Sequence, residues 1–223
     1  MTATEQLRHE HEAMTLALSI LEKLCQRLAD GEEVNTEHFG QVLEFTQVFA
    51  DQCHHGKEEQ FLFPALEAAG IPEAGGLFSV MSEHEQCRVL IRQLAACWQK
   101  HRSGDRAAAA AVIASARNYS AFLHAHIFEE NNVLFPMAEA RLSADIQRRL
   151  LEQFERLEIE CIGAGRHEQF HKTLDFLKQT YLGRRGNGRK NIQKLPRTIF
   201  FAESVSKWKF RIKGLINQLF GGE

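Results

Sequence analysis

The chain has 223 residues, 44% hydrophobic and 25% charged, with a formal net charge of −2 at pH 7. This composition fits one or two globular domains with a substantial core. No apolar run approaches the roughly 20 residues that span a bilayer, and the first residues lack the basic flank and apolar stretch of a secretory leader, so the expected compartment is cytoplasmic. The five cysteines (Cys25, Cys53, Cys87, Cys97 and Cys161) are scattered, odd in number and never spaced C-x-x-C, which argues against a disulfide framework and a thiolate zinc site.

Apolar residues at helical spacing run from Glu5 to about Leu28 (Leu7, Met14, Leu18, Leu21, Leu24), and Asp30-Gly31 closes that helix. Asn35 or Thr36 can cap a second helix carrying Phe39, Val42, Leu43, Phe45 and Phe49, then His54 and Glu58, up to the Pro64 region. Gly75-Gly76 opens into a third helix with Val80, Leu90, Ile91 and Leu94. After the turn at Ser103-Gly104-Asp105, an Ala-rich fourth helix carries Phe122, His126, Glu130 and Leu134. Ser143 caps a fifth with Ile146, Leu150, Phe154 and Leu157. Gly163-Ala164-Gly165 interrupts it, and a last helical piece ends at Tyr181-Leu182-Gly183. No strand signal appears before residue 180. The expected fold is all-α, an up-down-up-down four-helix bundle over 5–140 with an additional packing helix over 143–181.

Residues 183–223 are of another kind. From 184 onward there are ten Lys or Arg and two acids, against seventeen and twenty-seven in the rest. Past a Gly-rich linker, Phe201, Val205, Trp208, Ile212, Leu215 and Leu219 form an apolar stripe flanked by Lys207, Lys209, Arg211 and Lys213. A basic amphipathic helix is predicted there, docking on its own protein or contacting a membrane surface, nucleic acid or a partner protein. The domain division expected is 1–182 and 183–223.

The sequence repeats itself. His54 and Glu58, followed by Leu62-Phe63-Pro64, return 72 residues later as His126 and Glu130, followed by Leu134-Phe135-Pro136. Glu10-His11-Glu12 returns as Glu83-His84-Glu85. Residues four apart share one helix face, so each half offers one lone imidazole and one imidazole–carboxylate pair, aimed at the centre of a pseudo-twofold bundle. Candidate metal ligands are therefore His11, His54, Glu58, His84, His126 and Glu130. His55 and Glu59 are the substitutes if the helix is rotated; their counterparts Ile127 and Asn131 rank them second. His9 and His124 lie about 200° round the helix from the nearest candidate ligand and should face away.

Four imidazoles and two carboxylates without thiolate suit iron, zinc or manganese. They are too many for one tetrahedral zinc and suit two six-coordinate ions bridged by Glu58 and Glu130, with positions left for water, an oxo or hydroxo bridge, or a small molecule. His167-Glu168-Gln169-Phe170-His171 also matches H-E-x-x-H, a zinc-peptidase pattern, although no third ligand follows it; an auxiliary metal site or a packing role is expected instead.

Taken in order, E-H-E, H-H-x-x-E-E-x-x-L-F-P, a second E-H-E and H-x-x-x-E-x-x-x-L-F-P resemble the hemerythrin-like, or HHE cation-binding, proteins over about residues 5–180. Phe154-Glu155-Arg156-Leu157-Glu158 and Gly163-Ala164-Gly165-Arg166-His167-Glu168 are similar to the C-terminal helix of larger bacterial members. The resemblance implies a four-helix bundle around a non-haem di-iron centre, oxo- or hydroxo-bridged, held by the six candidates above, with zinc or manganese as possible substitutes. Oxygen-carrying hemerythrins pair two histidines four apart on the third helix, whereas Val80 and Arg88 flank His84 here. That departure favours binding or sensing O2 or NO, or handling iron, over O2 carriage, with a di-iron oxidase or peroxidase-like enzyme and a metal-switched binding module using the basic tail as alternatives. The six-ligand pattern is shared with iron-cluster repair proteins, whose N-terminal cysteine domain is not seen here.

Overall fold

The computed structural model describes residues 1–71 and 77–183. Gly75-Gly76 and the basic stretch with Lys207, Trp208, Lys209, Arg211 and Lys213 lie outside the described residues.

Helix α1 (Ala3–Ala29) begins with a capping box. The Thr2 hydroxyl accepts from the Glu5 amide and the Glu5 carboxylate accepts from the Thr2 N–H, which satisfies two of the otherwise orphaned donors. Helix α2 (36–68) starts at Asn35, whose side chain accepts from the amides of Glu37 and His38. Helix α3 is Leu77–Arg102. A 3-10 turn, Arg106–Ala108, capped by Asp105, leads into α4 (109–141). Ser143 caps α5 (Ala144–Ile162), and α6 is Arg166–Tyr181. Gly163 and Gly165, with φ of 87° and 76°, make the sharp α5–α6 reversal in the left-handed region that other residues avoid.

Among the described residues there are no strands. Helices α1 to α4 close a bundle, α1 lying against α2 and α4 and α3 against the same two. Helices α5 and α6 both pack on α1 and α2. The fold is therefore the expected all-α bundle with helical additions.

Two apolar clusters fill it. One holds Leu7, Leu62, Phe63, Leu66, Phe135 and Phe154. The other holds Leu18, Phe39, Phe45, Phe49, Trp98, Tyr119 and Leu174. Each such side chain contributes about 1.5–3 kcal/mol by leaving water. The buried His and Glu residues fall where the two clusters meet, His11 between Leu7 and Met14, His84 between Val80 and Cys87, and Glu130 between Ile127 and Leu134. The polar layer is thus sealed by apolar packing at both ends.

Helices α2 and α4 are not uniformly α. Glu58–Leu62 and Glu130–Leu134 are π-turns. The N–H of Phe63 reaches back five residues to the Glu58 carbonyl, and that of Phe135 to the Glu130 carbonyl. Pro64 and Pro136 follow at once, and a proline removes one N–H and crowds the carbonyl four residues back. The preceding turn widens to accommodate it, and the helix continues to Ala68 in one case and Arg141 in the other. Leu-Phe-Pro is core packing plus a π-turn. A further π stretch, Phe45–His55, precedes the first of these.

Candidate metal centre

His11 on α1, His54, His55 and Glu58 on α2, His84 on α3, and His126 and Glu130 on α4 are all buried. The structure brings the six first-ranked sequence candidates into one layer and adds His55. Ligand atoms of His11, His54, Glu58 and Glu130 lie within 4.8 Å of one another. So do those of Glu58, His84, His126 and Glu130, and those of His55, His84 and His126. The first two groups share both carboxylates.

The imidazoles are held from behind. His54 Nδ1 donates to Glu10 Oε2 at 2.9 Å and His126 Nδ1 to Glu83 Oε2 at 3.0 Å. His11 Nδ1 donates to Asn131 Oδ1 at 3.0 Å and His84 Nδ1 to Glu59 Oε1 at 2.7 Å. A carboxylate or amide oxygen only accepts, so these bonds place the proton on Nδ1 and turn the Nε2 lone pair inward. The first Glu of each E-H-E segment therefore orients the histidine of the H-x-x-x-E pair on the neighbouring helix.

His55 enters through the π stretch. In an α-helix consecutive residues stand about 100° apart, so His54 and His55 could not both face the centre. The wider π-turn brings neighbours closer together round the axis. His55 stacks on His84 with ring centroids 3.9 Å apart and lies edge-on to His126 at 5.5 Å. Burial, followed by His84 and His126, holds its imidazole well below the usual range, leaving it neutral with a free lone pair. Glu59, the other substitute named from sequence, lies behind His84. It accepts from Arg88 Nη2 at 2.8 Å, and Arg88 Nε donates to Asp51 at 2.7 Å, beside His55 Nδ1 at 3.5 Å. Arg88 anchors the acids that back His55 and His84.

Eight side-chain atoms on five residues of this layer are buried without a hydrogen-bond partner: both carboxylate oxygens of Glu58 and Glu130, both nitrogens of His55, and Nε2 of His84 and His126. Each such atom costs about 1–3 kcal/mol, so a cluster of them in one dry layer calls for a shared partner. Nε2 of His11 and Nε2 of His54 stand 2.9 Å apart. Ligand atoms at right angles on an ion, each about 2.1 Å from it, are about 3.0 Å apart. His84, against its burial, is pushed well above the usual imidazole range by Glu130, Glu58 and Glu59. The residues fit a cationic group.

Beside the centre lies Lys57, itself buried, its Nζ donating to Glu10 Oε1 at 2.6 Å and to Glu158 Oε2 on α5 at 3.0 Å. Although burial pushes the Glu10 carboxyl up, His54 and Lys57 hold it at about 2. Glu10, Glu158 and His167 also form a potential ligand group, but the Lys57 ammonium already bridges the two acids. The H-E-x-x-H motif does not assemble a peptidase site: Glu168 is exposed and pairs with Lys172 at 2.8 Å, while His167 and His171 pack on Phe49. His9 is exposed and His124 bonds the Ser120 carbonyl. An open cleft of about 540 Å³ between α1 and α4, lined by Arg8, Thr15, Ile127 and Asn131, has His11 in its wall.

A helical bundle with a buried layer of histidines and two shared carboxylates defines a metal-binding protein. The model of the hemerythrin HHE cation binding domain matches residues 2–138, and the chain belongs to that family. Uncharacterized proteins of Mycobacterium tuberculosis (strains H37Rv and CDC 1551) and Mycobacterium bovis are 27% identical to it over 180 residues, covering 80% of this chain and 70% of each relative. Among the described residues no helix is long and apolar enough to cross a membrane.

Proposed function

We propose that the centre holds two iron ions bridged by Glu58 and Glu130, with His11 and His54 on one and His55, His84 and His126 on the other, and that it binds or senses O2 or NO. The observation that carries this reading is the pair of overlapping ligand groups that share both carboxylates. Iron would supply redox chemistry and affinity for diatomic ligands. Two six-coordinate ions offer about twelve positions, of which the bridging carboxylates take about four and the five imidazoles about five. An oxo or hydroxo bridge counts as about two more, so about one position is left for an exogenous molecule.

Asymmetry says where. His55 gives the α3 side three imidazoles, and the α1 side keeps two, His11 and His54. A position open to an exogenous molecule would then fall on the α1 side, where the cleft with His11 in its wall lies. The apolar clusters above and below exclude water, while Glu10, Glu59, Glu83 and Asn131 keep the rings fixed in orientations that would suit a bound ion.

An optical spectrum of protein purified without oxygen tests this. Absorption of an oxygen-bound centre should appear in air and reverse when O2 is withdrawn. Irreversible oxidation, or consumption of peroxide, would instead favour a redox enzyme at the same centre.

A further inference from the structure

Helix α5 lies beyond the 2–138 family match, yet it touches the ligand-bearing segment at its most sensitive point. Between His54-His55 and Glu58-Glu59 stand Gly56 and Lys57, facing away from the centre. A Cβ at Gly56 would come within 3.3 Å of Leu157 Cδ2, which would have to give by a few tenths of an ångström, so α5 packs closely on this turn. One residue on, Glu158 Oε2 receives the Lys57 ammonium, whose other acceptor is Glu10, and Glu10 holds His54 Nδ1. Phe154, fully buried, has its ring 6.0 Å from Lys57 Nζ. Ala3 N–H donates to Gln147 Oε1 at 3.0 Å, tying the start of α5 to α1.

We propose that α5 is a positioning clamp for the centre, in which Glu158, acting through Lys57 and Glu10, sets the orientation and donor strength of His54. The inference rests on the reading of the buried layer as a metal centre. With Glu158 present, the Lys57 charge is divided between two carboxylates and Glu10 keeps electron density for the His54 N–H. Without it, the ammonium draws on Glu10 alone. The Glu10–His54 bond weakens, and Nε2 of His54 becomes a poorer donor. Partners behind a metal ligand act in this way, through ring orientation and basicity.

The test uses the full chain carrying Glu158→Gln, Lys57→Gln or both, with Glu155→Gln on the exposed side of α5 as control. Iron affinity is read by competition with a chelator and hydrogen exchange of amides 54–59 by mass spectrometry. Glu158→Gln should weaken iron binding about tenfold, leave helix content unchanged, and have no further effect in the Lys57→Gln background; the control should match wild type. Unchanged affinity, or a loss that simply adds to that of Lys57→Gln, overturns the clamp. Should the wild-type chain bind no iron, the metal reading itself fails. Exchange in the metal-free proteins then decides the clamp: faster exchange at 54–59 in Glu158→Gln supports it and equal exchange overturns it.

Discussion

The ring of His55 lies stacked on that of His84, centroids 3.9 Å apart and planes 11° from parallel. The two come from different helices, and no hydrogen bond holds either nitrogen of His55. Stacked, neutral and inward-facing, His55 would, in the proposed centre, supply an imidazole on the α3 side, where Val80 and Arg88 flank His84. Glu59, its companion in the sequence ranking, serves a different purpose by fixing His84 from behind.

The two residues should therefore behave differently when changed. His55→Ala should lower iron affinity by more than 100-fold, beyond the roughly 10–100-fold typical of residues behind the ligands, or leave a single ion bound. Glu59→Gln retains a hydrogen-bond acceptor for His84 and should keep both ions, with a loss of about tenfold. Iron per chain after gel filtration separates the two; equal behaviour would remove His55 from the ligand set.

Stability and site chemistry are carried by separate parts of the bundle. Phe39 stacks on Trp98 at 3.9 Å in the apolar cluster away from the α1 N-terminus. Phe39→Ala should cost about 3–5 kcal/mol, read by urea unfolding, with the absorption spectrum of the folded metal-loaded protein unchanged. A spectral change would mean that this cluster shapes the centre directly.

Thiol chemistry follows burial. Burial pushes the thiols of Cys25 and Cys53 up to about 12 and raises that of Cys87; only the thiolate reacts. Cys161 is exposed and Cys97 half-buried. In the native protein Cys161 should label first with a maleimide, Cys97 slowly, and Cys25, Cys53 and Cys87 only on unfolding. Rapid labelling of Cys53, next to His54, would show that α2 opens far more readily than its packing allows.

Much of this was legible in the sequence because the repeat writes it twice. Helical spacing, the Asn35 and Ser143 caps, and the matching of His54 with His126 and Glu58 with Glu130 needed no tertiary information. Two physical features hide His55 in the sequence. Its counterpart is Ile127, and α-helical geometry turns it away from the face His54 occupies; only the π stretch Phe45–His55 restores it. The proline after each Leu-Phe pair is the local signal for the later π-turns. Pairings such as Glu10 with His54 or Lys57 with Glu158, 44 and 101 residues apart, depend on how helices pack and leave no periodic trace. Arg88 was visible only as a residue unable to bind metal, although it anchors Asp51 and Glu59.

Metal analysis of the wild-type chain beside Glu58→Ala and Glu130→Ala tests most directly the proposed two-ion centre bridged by Glu58 and Glu130. About two irons per wild-type chain, as the paired six-coordinate arrangement requires, with loss of metal in each variant, is the predicted result. Zinc alone, substoichiometric iron, or retention of both ions in either variant would contradict it.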